Sequence, residues 1–182
     1  MIPDVVSAIP WFWPVTVATI GVATFFSMQV ARSFGTTRLH AFALLVSIGG
    51  IVALTLTPAG DSGGHACRIP SSWLISLDDF VPPTERGLNV VLFIPLGIAL
   101  GLVPRSPVKA EALFLAALSP LLIELTQSIV GLGRTCEATD VADNLTGLAV
   151  GFLIAGVVGV VLRRWRRVDD GPPGANTSGA RG

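Results

Sequence analysis

Glu124 and Gln127 lie three positions apart within an apolar run, and Ser128 follows Glu124 by four, so a helix carries all three on one face. Asp140 and Asn144 have the i, i+4 spacing of a second such face, Asp143 lies on its neighbouring edge, and Asn89 opens a third apolar segment. Arg134 falls in the short connection between the first two faces and could neutralise one or two of the carboxylates. Carboxylates, amides and an arginine on separate helices suit three roles. They could bind a polar headgroup, with Arg134 on a phosphate and the acidic and amide groups fixing orientation. Glu124 could act as a general acid or base. The polar groups could also do no more than pin helices together. Catalysis is the poorest fit, because no histidine accompanies the set and Ser128 has no adjacent base other than Glu124. His65 and Cys67 are too few for a zinc site, so no metal and no cofactor is expected.

The helices that must carry these residues belong to a membrane protein. Of 182 residues, 51% are hydrophobic and only 13% charged, against about 25% charged in soluble domains, and the mean hydropathy is +0.71. The apolar residues form five blocks near the length of about 20 residues that crosses a bilayer: Trp11 to Ala31, Leu39 to Leu56, Leu88 to Val103, Ala110 to Leu132 and Val141 to Leu162. The expected fold is all-α, a polytopic bundle of five transmembrane helices, with residues 1–165 as the membrane domain. The tail, 166–182, has too little apolar content to fold and is expected to be disordered and cytoplasmic. A carboxylate near the centre of a membrane helix costs about 2.5 to 3.5 kcal/mol on insertion scales, so Glu124 requires a polar partner or a cavity.

Orientation follows from the basic residues. With the N-terminus outside, the inner segments carry Arg32, Arg38, Arg105, Lys109, Arg163, Arg164, Arg166 and Arg167, and the outer loops only Arg68, Arg86 and Arg134, which predicts N-out and C-in. No basic segment precedes the first helix and no A-x-A site follows it, so it reads as an uncleaved span. Trp11, Trp13 and Trp165 fall at headgroup level. The longest connection, TPAGDSGGHACRIPSSWLISLDDFVPPTERG, is then an outer loop, and its SSWLISLDDF stretch is expected to form a short interfacial helix. Cys67 and Cys136 both lie outside, where an oxidising environment permits a disulfide worth about 4 kcal/mol in the chain-entropy model.

Small residues set how closely the helices approach. Gly97 and Gly101 share a stripe of the third helix with Asn89 and Phe93, and Gly147, Gly151, Ala155 and Gly159 form a stripe beneath Asn144 in the fifth. Such stripes let backbones pack together in a bilayer.

From about Arg86 to Leu162 the sequence resembles the VanZ-like family of small bacterial membrane proteins. The resemblance is carried by NVVLFIPLG at 89–97, LSPLLIELTQ at 118–127 and GRTCEATDVADNLTGLAVG at 133–151. Its fixed positions map onto Asn89, Pro95, Gly97, Glu124, Gln127, Arg134, Asp140, Asn144 and Gly147, while the first two helices match in character only. The resemblance implies a multi-pass protein of the bacterial cell membrane and association with the envelope. The family takes its name from a protein that lowers susceptibility to the glycopeptide teicoplanin. The expected function is binding of an envelope lipid or a lipid-linked wall precursor at the outer polar cluster, with an effect on teicoplanin-type susceptibility; a membrane enzyme using Glu124 and a structural scaffold are the alternatives. Expected partners are membrane lipids and such a precursor, with no nucleic acid. A transporter would require a homo-oligomer, since five helices without an inverted repeat are few for alternating access.

Overall fold

A computed structural model describes residues 11–57, 73, 75–81, 84–104, 106–130 and 137–169. They form five α-helices: α1 (Phe12–Phe34), α2 (Arg38–Thr55), α3 (Glu85–Leu102), α4 (Pro107–Val130) and α5 (Ala138–Asp169). A 3-10 turn at Leu77–Asp79 precedes α3 where the sequence predicts a short helix. All five helices are long and apolar enough to cross a membrane, and no strand occurs among the described residues. Side chains such as Phe25, Leu115, Ile129 and Val157 are exposed on the bundle surface, as lipid-facing positions must be.

Local chemistry sets the helix ends. Gly35 stops α1 in the left-handed conformation (φ 60°), a backbone state without penalty for glycine, and Thr36 N–H returns to the Ala31 carbonyl at 2.9 Å. Thr37 then caps α2, its hydroxyl accepting from the His40 N–H at 3.2 Å. Thr84 caps α3 in the same way for Gly87 N–H at 3.3 Å, and Thr84 N–H donates to the Asp79 carbonyl at 2.8 Å. That bond draws the 3-10 turn onto α3 so closely that a Cβ at Gly87 would overlap the Asp79 carbonyl oxygen. Within α4, Pro120 has no N–H for the Ala116 carbonyl, and the Ser119 hydroxyl donates to that oxygen instead at 2.8 Å.

The closest packing in the bundle is α3 against α5, followed by α1 against α2. Gly97 and Gly151 face each other across the α3–α5 contact: a Cβ on either would meet the other's Cα at 3.0 Å, and would also overlap the carbonyl of Leu148 or Ile94 respectively. A Cβ at Gly147 would overlap the Val90 carbonyl, and one at Gly101 the Ala155 side chain. Beside this contact Phe93, Leu96, Leu100 and Leu148 join Leu44, Ile51 and Ile123 from α2 and α4 in one core.

At the end of α3, side chains from other segments complete the carbonyls that a helix C-terminus leaves open. His40 Nε2 lies 2.7 Å from the Ala99 oxygen, and Lys109 Nζ donates to the Gly101 and Val103 oxygens at 3.1 and 2.7 Å. Lys109 also lies 5.4 Å from the centre of the Phe152 ring, joining the start of α4 to α5.

The structure extends two helices beyond the apolar blocks. α3 begins at Glu85, ahead of Leu88, and α5 begins at Ala138, ahead of Val141, so Arg86, Asn89, Asp140 and Asp143 are all helical. At its other end α5 runs past Leu162, through Arg166, to Asp169.

Candidate functional site

Opposite the Lys109 end, the starts of α3 and α5 and the ends of α2 and α4 bring polar side chains together. The strongest contact is an ion pair. Arg86 Nε and Nη2 donate to Asp143 Oδ2 and Oδ1 at 2.8 and 2.9 Å, a two-pronged geometry that only a guanidinium offers a carboxylate. The Asp143 side chain is 2% exposed, so its charge is compensated within the bundle by the arginine.

Glu124, on α4, is 5% exposed, and its Oε2 accepts from the Glu137 N–H at 3.2 Å just ahead of α5. Its carboxylate also lies within electrostatic range of Asp140 and Glu137. Asp140 in turn has Asn89 of α3 beside it, with Glu85 and Asp143 close enough to act on its charge. Gln127 turns away from these groups: its Nε2 donates to the Thr55 carbonyl at 2.8 Å, at the end of α2. Thr55 is the last residue of α2, and its oxygen receives no backbone donor among the described residues, so the amide serves it and joins α4 to α2.

Asn144 lies one turn deeper than Asp140 on the same face of α5 and next to Asp143. It is 2% exposed, and its Oδ1 has no hydrogen-bond partner among the described residues. An unmatched buried acceptor costs about 1 to 3 kcal/mol. No group of three or more potential metal-binding side chains occurs among the described residues.

The sequence-predicted set thus falls into parts. Asn89, Glu124, Asp140 and Asn144 lie at one end of the bundle, Gln127 is committed to α2, and Arg134 lies outside the described residues, as do Cys67 and Cys136 with their expected disulfide. Sequence reasoning missed Arg86, counting it only as a loop charge, and put Asp143 at the margin. The signal was available: Arg86 precedes Asn89 by three and Phe93 by seven, the spacing of a single helix face.

The fold and this arrangement define a multi-pass helical membrane protein with a buried polar cluster at one end of its bundle. A model of the VanZ/LLP1 family matches residues 12–159, most of the chain, which belongs to that family. The match includes α1 and α2, beyond the region in which the sequence motifs were evident. No curated protein and no solved structure matches the chain.

Proposed function

We propose that this VanZ/LLP1 protein binds the polar headgroup of an envelope lipid, or of a lipid-linked wall precursor, at the cluster around Glu124, Asp140 and Asn89. One observation carries the reading. Glu124 is a carboxylate buried in a membrane span that receives a single backbone hydrogen bond from the described residues, with further carboxylates rather than cations as its described electrostatic neighbours. A side chain that only joins helices resembles Asp143, with both oxygens matched by Arg86, or Gln127, seated on a backbone carbonyl. Glu124 retains acceptor capacity that a ligand would use. The headgroup phosphate is assigned to Arg134, and the cluster to the outer leaflet, as the distribution of basic residues predicts. Holding such a lipid or precursor at the surface would alter teicoplanin susceptibility in a cell that makes the protein.

The test is native mass spectrometry of the full chain purified with lipids retained, for the wild type and for the Glu124→Gln, Arg134→Gln double variant. The double substitution removes one charge of each sign and leaves the net charge of the protein unchanged. Loss of a specifically retained lipid from a double variant that melts normally supports the reading. An unchanged lipid profile in that folded variant refutes it.

A further inference from the structure

The cluster's ligand is specified by what the cluster lacks. Glu85, Glu124, Glu137, Asp140 and Asp143 all lie in or beside it, and the one described cation among them, Arg86, has both prongs on Asp143. Even with Arg134 of the adjoining segment counted in full, carboxylates outnumber arginines by five to two. Hydrogen-bonding capacity is unbalanced in the same direction: Glu124 has one donor from the described residues, and Asn144 Oδ1, an independent feature on a neutral side chain, has none. A group that satisfied both deficits would bring positive charge and several N–H donors together.

Depth narrows the choice further. Asp140 lies in the first turn of α5, and Glu124 is about 9 Å along the axis from the end of α4 at Val130, at about 1.5 Å per residue. Asp140, Asn89 and Glu137 are partly exposed, whereas Glu124 and Asn144 are buried beneath the surface of the bundle. Such a depth near the ends of two spans corresponds to the interfacial, headgroup region of a bilayer.

We propose that the cluster binds a primary ammonium group, the chemistry of an ethanolamine-type zwitterionic headgroup, with the N–H donors shared among Asp140, Glu124 and Asn144 Oδ1. This rests on the headgroup-binding function proposed above and specifies it. Two related headgroups isolate the requirement. Choline has the same charge and phosphate but no N–H donor, whereas glycerol has donors without positive charge. A site that needs charge alone accepts choline, one that needs donors alone accepts glycerol, and the site proposed here accepts neither well.

The experiment places the full chain in nanodiscs with equal amounts of phosphatidylethanolamine, phosphatidylcholine and phosphatidylglycerol, and native mass spectrometry then reads the lipids that remain bound. Retention of the ethanolamine lipid over both others by about tenfold is expected, the scale of one charge-assisted hydrogen bond. Asn144→Leu and Asp140→Asn should each reduce that preference severalfold in protein that melts normally. Free ethanolamine as a competitor identifies the source: displacement of the lipid at millimolar concentration would show that the amine alone suffices, and failure to displace it that the lipid's phosphate and chains contribute. Both outcomes support an ammonium site once the preference exists. Retention of phosphatidylglycerol, or equal retention of choline and ethanolamine lipids, overturns the ammonium assignment and leaves headgroup binding standing. No specific retention of any lipid, by the wild type itself, overturns both, and this arm does not depend on any variant folding.

Discussion

Arg86 and Asp143 hold the first turn of α3 against the second turn of α5 through two parallel hydrogen bonds of 2.8 and 2.9 Å, at the same end of the bundle as Glu124 and Asp140. The pair ties the α3 and α5 sides of the cluster together, since Asn89 follows Arg86 by three on α3 and Asn144 follows Asp143 by one on α5.

Breaking this pair on one side should be worse than removing it. Arg86→Leu leaves Asp143 buried and charged, a situation that costs about 3 to 5 kcal/mol in proteins. Arg86→Leu with Asp143→Leu leaves no uncompensated charge and should recover much of that loss. Melting curves in detergent check both. A double variant no more stable than Arg86→Leu alone would show that the pair's geometry, rather than charge compensation, sustains the α3–α5 contact.

The glycines should divide by position rather than by motif. Gly97→Leu, Gly147→Leu and Gly151→Leu each drive a side chain into backbone of the facing helix and should abolish a folded monodisperse species on size exclusion. Gly156, in the same helix as Gly147 and Gly151, has open space where a Cβ would stand, with nothing within 4 Å, and Gly156→Ala should fold as the wild type does. Normal behaviour of Gly97→Leu would mean that α3 and α5 are not in direct backbone contact.

Asn144→Leu should raise the melting temperature while weakening lipid retention. It removes an acceptor that no described residue satisfies, so the penalty of about 1 to 3 kcal/mol for an unmatched buried acceptor disappears. A lower melting temperature in the absence of lipid would instead assign Asn144 Oδ1 a partner within the protein.

The topology predicted from the basic residues puts Cys67 and Cys136 outside and joined by a disulfide. Intact cells should then show no labelling by thiol reagents until an impermeant reductant is added. Labelling without reduction would exclude the disulfide, and labelling only after permeabilisation would exclude N-out orientation.

The sequence by itself determined the five spans, because a bilayer demands about 20 apolar residues in a row and no folding context alters that requirement. It also marked Asn89, Glu124, Asp140 and Asn144, since a polar group inside such a run is costly enough to stand out. Partner choice was decided only in three dimensions. Arg86 and Asp143 are 57 positions apart and meet because the Gly97–Gly151 contact brings α3 and α5 together, while Gln127 reaches a backbone oxygen at Thr55, which no side-chain pattern records. The unmatched Asn144 oxygen is of the same kind. A residue type shows what a side chain can bond, and only the packing around it shows whether anything is there to bond it.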